Sequence, residues 1–347
     1  MRRKTSGVLG SLAVFASLLA ACGGQSEPPG EVASGGFDSL VTAAKNEGTL
    51  TWYTGSEQSS ADLMAEQFKS EYGITVDVVR LTSGPIAQRV ATEVTSNSIV
   101  ADVVSTVDDV FFKTSASKGW FVPMAADQVP EIAAWPEQFK KPDYVTFAVG
   151  AQGVGYNTNL VTGEPPCTWD AVLDPRFAGK VILTDPASSA AYTNFYSAVL
   201  EAPNLGESFL RRIKDLGIVS VADSAVPGAQ LLGAGEGAIT LPTTSAAIDG
   251  VGSKGAPVKS CVLENPSPVY EQYMGVVKGS KHPNAALLFL DFMLTKDAQT
   301  AYSVKAQTSS PLGDLPGAPP LPKGLVQPDT DKAKANLPKI QEILSVS

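Results

Sequence analysis

The chain has 347 residues, of which 44% are hydrophobic, and a formal net charge of −9. This length is sufficient for two domains, and no segment repeats at a fixed period. The acidic balance, with no basic run in the sequence, argues against a nucleic-acid partner, because the phosphate backbone would be repelled.

The first segment of the chain has the features of a secretion signal. Three basic residues at positions 2–4 precede an apolar run at 8–21, which stops at Cys22. The run is shorter than the roughly 18 residues that a membrane-spanning helix needs, and small residues come just before its end. We predict that residues 1–21 are a signal peptide that is removed. The formal charge then changes from −9 to −12, because three basic and no acidic residues are lost.

The end of this signal, Leu19-Ala20-Ala21-Cys22, resembles the bacterial lipobox. The resemblance implies that Cys22 receives a thioether-linked lipid and becomes the mature N-terminus. Residues 22–36 would then form a flexible tether. The alternative is an ordinary signal peptide with a coincidental cysteine. With the lipid, the protein is exported and held to the cell membrane by lipid alone, in the periplasm or on the outer face of the cytoplasmic membrane.

Helical and strand patterns alternate along the rest of the chain. In the first region the predicted helices are 37–47, 59–72 and 86–96, and the predicted strands are 50–53, 74–81 and 100–104. A second region has predicted strands at 144–149, 181–183, 218–221, 238–241 and 269–278, a helix start at 185–192, and helices at 282–294 and 333–344. This alternation is typical of an open α/β fold.

Two cysteines remain once Cys22 is set aside, Cys167 and Cys261. An oxidising exterior would favour a disulfide between them, and two unrelated buried thiols are the alternative. A catalytic cysteine is disfavoured, because the one histidine of the sequence, His282, precedes Pro283 in a turn-like position. The same shortage of histidines and free thiols leaves no zinc site of the usual ligand types.

Several short segments occur in an order that is characteristic of one family. They are LTWYTG at 50–55, ADVV at 101–104, GVGYN at 153–157, TWDAVLDPRFAGK at 168–180 and KHPNAA at 281–286. Together they resemble the bacterial extracellular solute-binding proteins of the type II periplasmic kind, which serve ABC importers. The similarity covers residues 37–312. It is to the branch with ferric-iron binders and binders of phosphonates and phosphorylated solutes.

The resemblance implies an α/β, two-lobed type II periplasmic-binding-protein fold with a hinge of two crossing strands. The chain would cross between the lobes near 144–152 and again near 268–276. Residues 37–146 and 275–347 would form lobe one, and residues 147–274 would form lobe two. Both Cys167 and Cys261 would then lie in lobe two, so that pairing them would not link the lobes.

Ligands of open α/β sheets bind beyond the carboxyl ends of the strands, so the loops after the predicted strands form the candidate cleft wall. The helix starts at 82–85 and 188–191 would present backbone N–H groups and hydroxyls to an anion, and plain helix capping is the alternative. The predicted ligand-binding residues are Thr54, Gly55, Ser56, Ser83, Gly84, Asp108, Gln152, Ser188, Ser189, Ala190, Tyr192, Thr243, Thr244 and Tyr273.

Ferric binders of this branch typically supply adjacent tyrosines, and this sequence has no adjacent pair. It has Tyr270 and Tyr273 three positions apart, and Tyr192 and Tyr196 four positions apart, for which packing is the alternative role. We therefore predict a small anionic solute, or one that bears a phosphate or phosphonate. Ferric iron is the second candidate, with Tyr192, Tyr270 and Tyr273 as its ligands.

The predicted function is that of the substrate-binding lipoprotein of an ABC importer. Two lobes close over one solute, and the closed form delivers it to the permease. We expect a monomer with no cofactor and no catalytic residue. The competing class is a secreted α/β hydrolase, which is disfavoured because the sequence has no Gly-x-Ser-x-Gly elbow and only one, proline-flanked, histidine.

Overall fold

The computed structural model describes residues 30–346. The predicted signal peptide, Cys22 and residues 22–29 of the predicted tether lie outside the described residues. Within the described part, no helix combines the length and the apolar character that crossing a membrane requires.

The described chain alternates helices and strands. The strands are β1 (Thr49–Thr54), β2 (Thr75–Arg80), β3 (Val103–Thr106), β4 (Val145–Ala151), β5 (Gly153–Asn157), β6 (Val181–Thr184), β7 (Ile218–Ala222), β8 (Ile239–Thr243), β9 (Val258–Val262), β10 (Ser267–Val276) and β11 (Leu325–Val326). The helices are α1 (Phe37–Glu47), α2 (Gln58–Tyr72), α3 (Ser83–Thr95), α4 (Asp109–Ser117), α5 (Glu131–Ala134), α6 (Trp169–Val172), α7 (Ala190–Glu201), α8 (Gly206–Asp215), α9 (Ala225–Ala234), α10 (Ser245–Gly252), α11 (Pro283–Leu294), α12 (Lys296–Ala306) and α13 (Thr330–Leu344).

The first lobe is built around one sheet with the strand order β11-β10-β3-β1-β2, in which β4 also pairs with β10. β1 runs parallel to β2 and β3, whereas β10 is antiparallel to β3. Helix α11 is buried along its whole length, which explains its nearly continuous apolar sequence. Its Phe289 ring lies 5.1 Å from the rings of Trp52 and Phe68, so that α11, β1 and α2 share one core.

Two glycines shape the turns into the parallel strands of this lobe. Gly48 ends α1 and Gly73 ends α2, each in the left-handed conformation with φ of 70° and 76°. Glycine takes this conformation without steric cost, and it reverses the chain directly after a helix. Each helix can therefore lead into the next strand without a long loop.

The second lobe is built around the other sheet, in the order β7-β6-β8-β5-β9. β6 is parallel to β7 and β8, and β5 is antiparallel to β8 and β9. Trp169, Phe195 and Phe209 pack together in its core, with ring centroids 5.1 and 5.9 Å from that of Trp169. Cys167 and Cys261 both belong to this lobe, and their sulfurs are bonded, with the Cα atoms 5.2 Å apart.

The chain first passes between the lobes at Gln152, within the expected range 144–152. The second passage, at 263–266, comes before the expected range 268–276, which belongs to β10 of the first sheet. β4 lies in the first sheet and β5 in the second, with Gln152 between them, and β9 leads back to β10. β4 and β10 are antiparallel neighbours, so the two connections lie side by side. This arrangement is suited to a hinge.

The last helix differs from the sequence-based expectation. We expected the C-terminal residues to complete lobe one, but Ile340, Ile343 and Leu344 of α13 lie in the core of the second lobe, beside α7 and α8. An amphipathic pattern shows that a helix needs an apolar surface, and it does not show which surface. The chain therefore crosses between the lobes a third time, between β11 and α13.

The described N-terminal residues lie against the first lobe. The Gly30 N–H donates to the Ser280 carbonyl at 3.0 Å, and the Ala33 N–H donates to Asn284 Oδ1 at 2.7 Å. The Asn284 side-chain amide in turn donates to the Glu31 carbonyl at 2.9 Å. Residues 30–33 are thus fastened to the start of α11.

Candidate ligand-binding cleft

A cavity of about 520 Å³ lies between the two lobes. Loops that follow strands of both sheets contribute to it, which is the usual position of a ligand in an open α/β fold. Among the predicted binding residues and runner-up iron ligands, those that line the cavity are Gly55, Ser56, Ser189, Tyr192, Thr244 and Tyr270.

The first-lobe wall contains three side chains within hydrogen-bonding distance of one another. Ser56 follows β1, Gln272 belongs to β10 and Tyr302 belongs to α12. The Ser56 hydroxyl lies 2.8 Å from the Tyr302 hydroxyl and 3.1 Å from Gln272 Oε1. The Tyr302 hydroxyl donates to the same Oε1 at 2.8 Å. We call Ser56, Gln272 and Tyr302 the floor cluster.

The second-lobe wall consists of three helix starts. Helices α7, α9 and α10 begin at the cavity, behind the cap residues Ser189, Ser224 and Thr244. The Ser189 and Thr244 hydroxyls accept from backbone N–H groups of their own first turns, whereas Ser224 makes no side-chain capping bond. None of these first turns holds an acidic residue.

This wall carries a positive potential without charged side chains. The first N–H groups of a helix have no intrahelical partner, and they form the positive end of the helix dipole. No lysine or arginine of the described chain lines the cavity. Alanines and a valine occupy the first turns, at Ala191, Ala225, Val226, Ala246 and Ala247. Small side chains of this kind allow a ligand to approach the backbone.

Two tyrosines stand in the cavity wall as neutral hydrogen-bonding groups. The Tyr192 hydroxyl accepts from the Ala225 N–H at 2.9 Å, which ties α7 to α9 and leaves its own proton available. Burial raises the pKa of Tyr192, and it raises the pKa of Tyr270 to about 12. The Tyr270 ring covers Gly150, where an added Cβ would lie 1.9 Å from the ring.

Several predicted residues support the wall without lining the cavity. The Thr54 hydroxyl accepts from the Ser56 N–H at 3.0 Å and lies 2.8 Å from Ser105 Oγ. The Ser83 hydroxyl accepts from Thr106 Oγ1 at 2.6 Å, and Asp108 caps α4. Ser188 is exposed and donates to the Asp185 carbonyl. Gly84 and Ala190 are also outside the cavity lining.

The structure corrects the position of Tyr273. This ring packs against Phe112 and Tyr144, at 5.4 and 6.0 Å between centroids, and it does not line the cleft. Successive side chains of a strand point to opposite faces, so residues three apart cannot share a face. On β10 the cleft face therefore carries Tyr270 and Gln272, and the predicted iron pair of Tyr270 and Tyr273 is separated by the sheet.

Gln152 and Thr243 are buried next to the hinge, outside the cavity lining. Each is 1% exposed, and Thr243 lies opposite Gly153 in the β5–β8 pair. Neither side-chain nitrogen nor oxygen of Gln152 has a partner among the described residues, and the Thr243 hydroxyl has none there either. Buried polar atoms of this kind are ordinarily satisfied by bound water.

Sequence reasoning missed important residues of both walls. Gln272 lies between the tyrosines that we selected, and the alternation of a strand is the signal that would have found it. No sequence motif pointed to Tyr302 or Ser224, because α12 and α9 were not predicted. Among the described residues, no group of three His, Cys, Asp or Glu could hold a metal ion.

Comparison with known proteins identifies the family. Residues 53–300, which are more than half of the chain, match the family model of bacterial extracellular solute-binding proteins. The chain belongs to this family. Solute-binding proteins of this type have the two-lobed α/β fold described above, so the predicted family and fold class are confirmed.

Individual relatives of this solute-binding protein have different ligands in their names. Iron uptake protein A1 of Synechocystis sp. is 24% identical over 307 residues, which cover 83% of this chain and 80% of that protein. The structure of iron-bound HitA from Pseudomonas aeruginosa aligns with a TM-score of 0.67 at 20% identity, over 85% of this chain and 99% of HitA. AfuA from Actinobacillus pleuropneumoniae, with fructose-6-phosphate bound, aligns with a TM-score of 0.65 at 20% identity, over 86% of this chain and 99% of AfuA.

Proposed function

We propose that this solute-binding protein captures a small organic anion, one that bears a phosphate or phosphonate, and delivers it to the permease of an ABC importer. The observation that supports the proposal is the convergence of α7, α9 and α10 on one cavity. Three helix starts concentrate N–H donors and positive dipole ends at the same place, which suits an anion. The AfuA structure carries such a ligand on a similar fold.

The proposed mechanism is closure of two lobes about the β4–β10 hinge. Residues 37–151 with 267–326 form one lobe, and residues 153–262 with the docked α13 form the other. The ligand contacts Ser56 and Gln272 on one side and the starts of α7, α9 and α10 on the other, and closure removes it from water. The protein itself performs no chemical step, and it acts as a monomer.

The proposal is tested by calorimetric titration of ligand-free protein with inorganic phosphate, methylphosphonate and sugar phosphates. We expect saturable binding of at least one of these anions with a stoichiometry of one, and recovery of the anion unchanged. Glucose and a neutral amino acid serve as uncharged controls. Binding of the uncharged molecules alone, or conversion of a bound ligand into product, would contradict the proposal.

Ferric iron is the second candidate, because Tyr192 and Tyr270 line the same cavity and relatives with iron in their names share the fold. The raised pKa values of both tyrosines mean that iron would have to displace their phenolic protons. Addition of ferric citrate tests this alternative, since phenolate coordination produces a visible absorption band. Absence of the band, with anion binding retained, would eliminate iron.

We also propose that Cys22 is lipidated and that the Cys167–Cys261 disulfide forms in the exported protein. Mass spectrometry of the protein from its membrane fraction distinguishes the forms. A thioether-linked diacylglycerol at an N-terminal Cys22 and a mass deficit of two hydrogens at the cysteine pair are expected. An unmodified chain that begins at another residue would contradict the lipid anchor.

A further inference from the structure

The floor cluster has only two hydroxyl protons for the hydrogen bonds among its three side chains. Ser56 and Tyr302 each carry one hydroxyl proton, and the three contacts among Ser56, Gln272 and Tyr302 are 2.8, 2.8 and 3.1 Å long. Two protons can fill only two of the three contacts. Because Tyr302 donates to Gln272 Oε1, the Ser56 proton is left for the Tyr302 oxygen or for the same Oε1, so that Gln272 Oε1 accepts at least one proton.

This count determines what the cluster offers to a ligand. Gln272 Nε2 has no protein partner among the described residues, and it is the amide atom left for the cavity. The Ser56 oxygen keeps at least one unused lone pair in every assignment. An N–H donor beside a hydroxyl acceptor matches a group that both accepts and donates. An alcohol hydroxyl of the ligand is such a group.

Tyr302 is buried behind Ser56 and Gln272 and orients the Gln272 amide. Its side chain is 0% exposed, whereas Ser56 is 4% exposed and Gln272 is partly exposed. A ligand therefore touches Ser56 and Gln272, and Tyr302 holds the amide oxygen of Gln272 away from the cavity by donating to it. We regard Tyr302 as a positioning residue.

The charge distribution places the anionic end of the ligand on the opposite wall. In the second lobe, the starts of α7, α9 and α10 have no acidic residue. In the first lobe, Glu57 precedes α2, and Asp108 and Asp109 begin α4. These carboxylates lie at the starts of α2 and α4 and would repel a second anion there, and the start of α3 lies outside the cavity lining.

The size of the cavity excludes a bare phosphate ion as a ligand that fills it. About 520 Å³ is within the range of about 300 to 1,000 Å³ that is typical of pockets for organic molecules. A ligand that extends from the second-lobe wall to the floor cluster would therefore be an organic molecule and not a bare phosphate ion.

From these observations we propose that the ligand is a hydroxyl-bearing organic phosphate or phosphonate, bound with its anionic group at the second lobe and a hydroxyl at Ser56 and Gln272, whose amide is oriented by Tyr302. This inference rests on the proposed capture of an anion and adds the chemistry and the orientation of the ligand.

The test compares two esters of equal charge and similar length, glycerol 3-phosphate and propyl phosphate, with inorganic phosphate as the anion alone. We expect calorimetry to show glycerol 3-phosphate bound at least about tenfold more tightly than propyl phosphate, because the latter leaves Gln272 Nε2 and Ser56 Oγ without partners. Equal affinities for the two esters would overturn the inference and leave anion capture intact. Failure of these three anions, of methylphosphonate and of the sugar phosphates to bind would overturn the proposed function itself.

Two substitutions locate the effect. Tyr302→Phe should reduce the ratio of the two ester affinities at least about threefold, because only glycerol 3-phosphate uses the oriented Gln272 amide, and Ser56→Ala should reduce the same ratio. Tyr72→Phe is the matched control, since Tyr72 packs against Phe68 and Phe292 away from the cleft. A purely structural role of Tyr302 would weaken all three ligands alike, and that result would contradict its assignment as a positioning residue.

Discussion

At the scale of single residues, the contact between Gly150 and Tyr270 links the hinge to the cleft wall. Because a Cβ at position 150 would lie 1.9 Å from Tyr270 Cζ, the substitution Gly150→Ala must displace this ring from the cavity. We expect a loss of stability of about 1–3 kcal/mol and weaker ligand binding, measured by thermal unfolding and calorimetry.

Gly250→Ala is the control for this change. Gly250 lies in α10, where an added Cβ meets no atom within 4 Å. The control should retain both stability and affinity. If Gly150→Ala behaves in the same way, Tyr270 is not held by this contact.

The buried carboxyl of Asp291 should make the stability of the protein depend on pH. It is 3% exposed in α11, accepts from the Glu131 N–H at 3.0 Å, and burial raises its pKa from 3.8 to about 6. Because the folded protein binds this proton more tightly than the unfolded chain does, ionisation destabilises the fold as the pH rises from about 4 through 6. Asp291→Asn keeps the acceptor and should stabilise the protein at pH 8 by about 2 kcal/mol, with no gain near pH 4.

Denaturant unfolding at both pH values measures the difference. Asp62→Asn on the exposed face of α2 is the control and should show no such change between pH 4 and 8. A stability gain of Asp291→Asn that is the same at both pH values would show that ionisation is not its cause.

At the scale of elements, much of the α/β pattern follows from the sequence. α1 has the predicted limits of 37–47, and most predicted strands differ from the observed ones by one to three residues at an end. The long apolar run of α11 and the β-branched run of β2 are strong local signals. The segment Ser83-Gly84-Pro85, which precedes the predicted helix at 86–96, forms the first turn of α3, since proline is tolerated there.

Two helices of the cleft that sequence reasoning missed have weak periodicity. α9 and α10 are rich in alanine and glycine, so that no distinct apolar face marks them, and both are essential to the cleft. The candidate site was accordingly predicted in part: the loop at Gly55 and Ser56 and the caps Ser189 and Thr244 line the cavity, whereas Tyr273 faces the other way. Tertiary arrangement, which brings α12 under β10, has no local signal.

The start of α9 provides a test of the helix-dipole argument. Val226 is 52% exposed, lines the cavity and is the second residue of the helix. Val226→Asp adds a carboxylate at the positive end of the helix dipole, where it repels a ligand anion, so the affinity for phosphate esters should fall at least about tenfold without loss of stability.

The same charge at the other end of α9, Ala234→Asp, is the matched control. Ala234 is exposed and lies outside the cavity lining, so its variant should bind as the unmodified protein does. An equal loss of affinity in both variants would point to net charge instead of a local effect at the helix start.

At the scale of the whole molecule, the third crossing restrains the two lobes. The Thr330 hydroxyl at the start of α13 bonds to Asp109 of the first lobe and accepts from Asn194 Nδ2 of the second at 3.0 Å. Just before it, the Gln327 amide donates to Glu271 of the hinge strand at 2.7 Å. Thr330→Val removes the bridging hydroxyl, so we expect a more open average shape without ligand and a larger radius of gyration in solution scattering.

Thr92→Val is the matched control, since the Thr92 hydroxyl bonds only to the Gln88 carbonyl within exposed α3. Ligand should restore the same compact shape to all three proteins. A radius of gyration of ligand-free Thr330→Val identical to that of the unmodified chain would show that α13 does not limit opening.

The attachment of residues 30–33 to the start of α11 has a consequence for motion at the cell surface. With the proposed lipid on Cys22, only the eight residues 22–29 connect the lipid to Gly30, and a segment of this length extends at most about 28 Å. The half that carries α11 is then the stationary one, and the half that contains residues 153–262 swings relative to the bilayer. The fluorescence of a label on residues 153–262 should therefore change when ligand binds, because its quenching by labelled lipids changes. The fluorescence of a label near Ser280 should not change.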